Sequence, residues 1–162
     1  MPVEAPPRAC SVVFVHSIDT PIGTLWLEAD GAGLSCIAFD GPAGSHSDDP
    51  LLREAESQLQ AYFAGELTRF DLPLSPRGTE FQRRVWDAVA QVPYGTTTTY
   101  SAVAATLGRP SACRAVGAAN GRNPLPIVVP CHRVVGASGA LTGYGGGLGR
   151  KRALLDLEAA AV

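Results

Sequence analysis

No apolar run in this chain approaches the roughly 20 residues that a helix needs to span a bilayer, and the opening stretch MPVEAPPRAC lacks the basic, apolar and cleavable parts of a secretory leader. The protein is therefore expected to stay in the reducing cytoplasmic compartment. Cysteine is scarce: Cys10, Cys36, Cys113 and Cys131 show no C-x-x-C spacing, and no paired histidines accompany them. This speaks against both a disulfide framework and a zinc cage and leaves four free thiols. The glycine-rich GYGGGLGRK matches neither G-x-x-x-x-G-K-S/T nor a strand-anchored G-x-G-x-x-G, so no nucleotide cofactor is expected.

The 162 residues that are present suffice for one sizeable domain or two small ones. A net charge of -2 conceals a sharp asymmetry. Residues 1–77 carry four arginines against eleven acids, whereas residues 78–162 carry nine arginines and lysines against four acids. A basic half is the electrostatic footprint of a polyanion site, although it is also compatible with a merely solvated surface.

Short β-prone runs at Val12 to Ile18, Gly23 to Ala29 and Leu34 to Phe39, separated by DTPIG and DGAG, predict a small antiparallel meander. Leu52, Ala55, Leu59, Tyr62 and Phe63 follow at helical spacing, so one helix should cover one sheet face. LSPRGT reads as a linker near residue 77, and Thr79 with Gln82 fits a capping box opening a helix from Glu80 to Gln91. Two short helices are expected next, about Tyr100 to Leu107 and Ser111 to Asn120, joined by Gly108, Arg109 and Pro110 with helix-turn-helix spacing. The second is rich in small residues, Ala112, Ala115, Gly117, Ala118 and Ala119, with Arg114 as its long cation. Such a face suits close approach to another surface, or tight helix packing.

PLPIVVPCHRVV places one cysteine within the most apolar part of the chain. Cys10, Cys36 and Cys113 read as small buried hydrophobes. Cys131 differs, because nearby positive charge from His132 and Arg133 favours a thiolate, and a free thiol near pKa 8.5 is a weak nucleophile without such help. In an extended segment adjacent side chains point to opposite faces, so His132 would reach the thiol through a water. An imidazole base needs a third group to hold its tautomer. Glu158 is the candidate: Leu154, Leu155 and Glu158 lie at i, i+1 and i+4 and would turn the carboxylate inward, unless the C-terminal helix leaves it solvated. Asn123, preceding a proline, could be a local turn residue or a brace for the cysteine segment. The glycines would let the backbone approach a flat ligand held against Tyr144.

These residues together resemble the O6-alkylguanine-DNA alkyltransferases. PCHRV is that family's active-site signature, and FQRRVW, VPYGTTTTY, RAVGAANGRNPLPIVVP and TGYGGG…RKRALLDLE surround it in the family's order. DTPIGTLWLEAD, GLSCIAFD and QLQAYFAGE match less distinctively. The resemblance implies an α/β (α+β) fold: an RNase H-like scaffold over residues 1–77, and a mostly helical, winged-helix-like DNA-binding and acceptor domain over 78–162. It further implies that Cys131 takes an alkyl group irreversibly from O6 of guanine in duplex DNA, with O4-alkylthymine as a second candidate lesion. His132 would deprotonate it through a water, Glu158 would orient His132, and Asn123 would brace the segment. Tyr100 would donate to guanine N3. Arg114 would replace the extruded nucleotide, with Ala115, Gly117 and Ala118 against the minor groove. Pro126, Tyr144, Gly145 and the Cys131 and Val134 backbone would line the base pocket. No S-adenosylmethionine or other cofactor is implied, and the chain would act as a monomer, with cooperative loading on DNA left open. Some members bind zinc in the first domain; Asp30 and Ser35 stand at matching positions here, so no metal is expected. Gly145 replaces a serine of some relatives, which leaves only its backbone to hold O6. Relatives that bind alkylated bases without repairing them replace the cysteine, and a thiol acyltransferase or hydrolase using Cys131, His132 and Glu158 is the competing enzymatic reading.

Overall fold

The DTPIG turn reverses the chain between two seven-residue strands, β1 (Phe14–Thr20) and β2 (Gly23–Ala29). Thr20 Oγ1 donates to Gly23 O at 2.6 Å and accepts from Ile22 N at 3.2 Å, while Gly23 takes a φ of +109° that L side chains rarely adopt. The computed structural model describes residues 13–41 and 43–161. β1 begins and ends two residues later than the sequence suggests, and Val12 and Cys10 lie outside the described residues. β3 (Leu34–Phe39) completes an antiparallel sheet of order β1-β2-β3. The period of two is clearest on β2, where Leu25, Leu27 and Ala29 are buried.

α1 (Pro50–Phe63) covers that face with Leu52, Ala55, Leu59 and Tyr62. Asp49 caps it by accepting from Leu52 N at 3.1 Å, and Pro50 occupies the first turn, where its missing N–H costs nothing. Asp30 binds the chain locally, accepting from Ser75 Oγ and from the amides of Ala32 and Gly33, and Ser35 Oγ donates to Glu28 O.

α2 (Glu80–Ala90) opens on the capping box of Thr79 and Gln82. It buries Val85, Trp86 and Val89, and Trp86 Nε1 donates to Ala119 O at 2.8 Å. α3 (Tyr100–Thr106) is capped by Thr99; α4 (Cys113–Gly121) follows after a turn in which Gly108 takes φ +71°. α4 starts two residues later than expected. Two further elements carry no sequence periodicity: β4 (Thr98–Thr99) pairs in parallel with β5 (Val134–Val135), and a single 3-10 turn covers Cys131–Arg133. α5 (Leu148–Ala160) closes the chain. Its inward stripe is Lys151, Leu154 and Glu158, at i, i+3 and i+7; Leu155, expected on that stripe, is only half-buried. No helix among the described residues is long and apolar enough to cross a membrane.

Candidate active site

The segment leading to Cys131 is held in a conformation that its residues would not choose alone. Ile127 sits at φ +75°, a genuine outlier for a β-branched side chain, yet it is 1% exposed and packed in the core. Asn123 secures the loop around it, accepting from Leu125 N and donating Nδ2 to Val129 O, both at 2.9 Å. Both bonds stay within the loop 123–129. Asn120, from the end of α4, adds a longer bond from Nδ2 to Cys131 O at 3.3 Å; the sequence placed it only as the last residue of the expected helix.

Cys131 is not in an extended segment, as the sequence suggested, but opens the 3-10 turn. Arg133 N donates to Pro130 O at 3.0 Å, so the proline ahead of the cysteine supplies the turn's acceptor. The thiol is 5% exposed. Burial pushes it above its ordinary value, while the Asn123 amide and the Lys151 ammonium oppose that rise. Burial therefore favours the protonated thiol, and the positive charge expected beside it comes from Lys151. Arg133 does not provide it: Nε donates to Glu158 Oε1 and Nη1 to Val92 O, both at 2.7 Å.

His132 is fully buried and its Nε2 meets Glu158 Oε2 at 2.5 Å. Burial holds the imidazole below its ordinary value despite the opposing effect of Glu158. A neutral imidazole that gives Nε2–H to the carboxylate keeps Nδ1 as a base, and Nδ1 has no partner among the described residues. Glu158 is satisfied from four sides, accepting also from Tyr62 Oη at 2.6 Å and Gly95 N at 3.3 Å. Burial alone would raise its carboxyl, but the His132 and Arg133 hydrogen bonds win and bring it down to about 2. Tyr62 and Arg133 escaped sequence reasoning as partners of Glu158, and Lys151 escaped it altogether. Lys151, wholly buried, donates Nζ to Val134 O at 2.7 Å and to Thr142 O at 2.8 Å. Its place on the α5 stripe was the available signal.

A cavity of about 170 Å³ opens beside Cys131, lined by Asn120, Gly121, Asn123, Pro126, Tyr144 and Gly145, with Ile37 and Phe39 of β3 completing the wall. Four of the five residues expected to line a base pocket, Pro126, Cys131, Tyr144 and Gly145, meet here. Val134 does not; it is buried in β5 and its carbonyl is taken by Lys151. The Tyr144 hydroxyl is buried without a partner among the described residues, and burial raises its pKa. Gly145 has open space where a side chain would stand. A larger cavity, about 500 Å³, lies against Phe70, Val92, Tyr94, Val129 and Arg133 and is lined by neither Cys131 nor His132. Of the two, the smaller is the one that Cys131 lines.

Tyr100 and Arg114 stand outside that cavity. The Tyr100 hydroxyl donates to Thr142 O at 3.2 Å and accepts from Thr142 Oγ1 at 3.3 Å. Arg114, Ala115 and Ala118 are exposed along α4, whereas Ala119 is buried and Ala112 and Gly117, the latter beside the Tyr100 ring, are half-buried. Cys113, read from sequence as buried, is exposed at the first residue of α4, and Cys36 is half-buried.

Family models match both halves of the chain: 6-O-methylguanine DNA methyltransferase, DNA binding domain, over residues 80–160, and its ribonuclease-like domain over residues 13–76. The methylated-DNA–protein-cysteine methyltransferase of Mycobacterium tuberculosis is 52% identical over 153 residues, spanning 91% of this chain and 93% of that protein. The Methanosarcina acetivorans protein of the same name is 50% identical over 147 residues, spanning 86% and 94%. The solved structure of Mycobacterium tuberculosis OGT in complex with DNA superposes with a TM-score of 0.84 at 51% identity, covering 91% of this chain and 94% of that one. With both family models matched in order and half of all aligned residues identical, the chain belongs to the 6-O-methylguanine DNA methyltransferase family.

Proposed function

We propose that this protein repairs DNA by direct reversal, moving the alkyl group of O6-alkylguanine onto Cys131. The observation that carries the reading is the line Cys131, His132, Glu158: a buried thiol at a cavity wall, followed by a neutral imidazole whose far nitrogen is fixed by a carboxylate. His132 Nδ1 takes the thiol proton through a bridging water, and Glu158 stabilises the imidazolium that forms. Sγ then attacks the alkyl carbon opposite O6. The S–C bond forms from the sulfur pair, the C–O6 bond breaks with its pair leaving on guanine, and guanine recovers one proton at N1. Thiol plus alkylguanine thus become thioether plus guanine. A thioether has no easy route back, so one molecule repairs one lesion.

Residues 78–162 serve as the acceptor and DNA-binding half in this reading. α4 enters the minor groove, its exposed alanines and Gly117 allow the backbone close to the duplex, and Arg114 fills the space left by the extruded nucleotide. Tyr100 gives up Thr142 to donate to guanine N3. Pro126, Tyr144 and Gly145 enclose the base. Residues 1–77 hold the acceptor half in shape. The chain acts as a monomer and without a cofactor, and a cytoplasmic location suits its free thiols.

Mixing the reduced protein with O6-methylguanine duplex should add the mass of one methylene to the Cys131 peptide, with stoichiometric kinetics and no gain in Cys131→Ser. Repeated turnover of the lesion, or of a small ester with burst kinetics, would instead favour a hydrolytic thiol enzyme.

A further inference from the structure

The cavity beside Cys131 is not built from the acceptor half alone. Ile37 and Phe39, at the end of β3, form one of its walls. β3 is tied to the cysteine loop directly, since Ile37 N donates to Pro124 O at 2.8 Å. Phe39 meets Tyr144 edge to face, with ring centroids 5.8 Å apart at 61°. Its ring also explains one of the glycines. A Cβ on Gly146 would stand 2.8 Å from Phe39 Cε2 and 2.9 Å from Cδ2. The aromatic ring of the other half of the chain, with Arg150 Cδ at 3.1 Å, thus leaves no room for a side chain at Gly146.

Arg150 fastens this arrangement. Its Nε donates to Ile22 O at 2.8 Å, Nη1 and Nη2 grip the two Asp40 oxygens at 3.0 and 2.5 Å, and Nη1 also reaches Gly146 O at 3.2 Å. The guanidinium carbon lies 5.0 Å from the centre of the Phe39 ring. A Cβ at Gly23 would come within 3.1 Å of Nη2. One arginine on α5 thus binds the β1–β2 turn, the residue after β3, the glycine loop and the aromatic wall together. A bidentate fork fixes orientation as well as distance.

We propose that Phe39 is a specificity-determining residue of the alkyl-acceptor pocket, setting the size of group that Cys131 can accept, and that Arg150 with Asp40 is the clamp that holds it there. The inference rests on the reading of Cys131 as the acceptor. A methyl group needs little room beyond the base, whereas a benzyl group must place a second ring, and a fixed aromatic wall in a cavity of about 170 Å³ opposes it.

The test compares second-order rate constants for O6-methylguanine and O6-benzylguanine duplexes in the wild-type protein and in Phe39→Leu, Phe39→Ala and Asp40→Asn, with thermal melts alongside. Truncating Phe39 should raise the benzyl-to-methyl ratio about tenfold, with Leu giving a smaller rise than Ala and Asp40→Asn moving the ratio in the same direction. A purely structural role would lower both rates together and leave their ratio alone. A ratio within about twofold of wild type in both folded Phe39 variants would overturn the proposal while leaving the acceptor reading intact. Failure of the wild-type protein to take up methyl would overturn both.

Discussion

Tyr62, on the helix that covers the N-terminal sheet, donates its phenol to the same oxygen of Glu158 that holds His132. The two residues are 96 positions apart, and the phenol is fully buried. Burial and the neighbouring carboxylate raise the tyrosine far above its ordinary value, so it is always a donor. The N-terminal half therefore completes the hydrogen-bonding shell of a carboxylate in the other half, in addition to supporting it. Tyr62→Phe should cost about 2 kcal/mol of unfolding free energy, as expected for a buried bond to a charged acceptor. Denaturant melts check this. It should also slow alkyl transfer by a few-fold, because the carboxylate that orients His132 loses one of its four donors. An unchanged stability would mean that Tyr62 merely fills space.

Protonation of this network should control acid stability. The Glu158 carboxyl is at about 2 in the fold against an ordinary 4.5, so its contribution is complete above 4.5 and disappears as pH falls toward 2. His132 lies below its ordinary 6.5, so below that pH the unfolded chain binds a proton that the fold refuses. Both shifts make stability fall with falling pH, by about 1.4 kcal/mol per pH unit wherever one proton separates the states. Chemical melts across pH 7 to 3 should show this decline beginning near 6.5, and Glu158→Gln should flatten its lower portion. The alkyl-transfer rate should stay level through pH 6.5, since His132 remains a neutral base there. A rate midpoint at or above 6.5 would contradict the burial argument.

Lys151 gives a sharper test of the loop that carries the glycines. Its ammonium, buried beneath Val134 and Thr142, satisfies two carbonyls and also lies close enough to lower the Cys131 thiol. Lys151→Met keeps the length and apolar volume but orphans both carbonyls, which should destabilise the protein by about 2–3 kcal/mol. The cysteine should become less acidic at the same time. Reaction of Cys131 with a small thiol reagent, followed across pH in the folded variant, should shift to higher pH.

Much of this was legible before the structure, and the omissions share a cause. β2 and β3 begin and end where the alternation and the DTPIG and DGAG turns place them, and the Thr79–Gln82 capping box opens α2 as its spacing implies. These are local signals. The 3-10 turn at Cys131 and the two-residue strands β4 and β5 are too short to have a period, and β4 finds its partner 36 positions away at Val134. Glu158 could be suspected because a carboxylate on an apolar stripe needs a donor. Tyr62 could not be assigned in the same way, since a buried tyrosine looks like ordinary core until its polar tip is placed, and Lys151 stood on the same stripe but its partners, two backbone carbonyls, leave no mark in the sequence. Phe39 read as strand hydrophobe for the same reason.

The face of α4 offers the cleanest separation of folding from function. A Cβ added at Gly117 would meet only the Tyr100 ring, at 3.7 and 3.9 Å, which is ordinary contact. Gly117→Ala should therefore leave the fold intact and, by reducing the conformational entropy of the unfolded helix, stabilise it by about 0.5–1 kcal/mol. If α4 presses its backbone against the minor groove, the same methyl group should weaken duplex binding. Arg114→Ala, at an exposed position of the same helix, should leave the melting temperature unchanged and weaken binding to lesion-containing duplex. Melts together with fluorescence anisotropy on lesion-containing duplex read both effects. Tighter folding with weaker DNA binding in Gly117→Ala is the expected pair. Undiminished affinity in both variants would place the duplex on a different face of the protein.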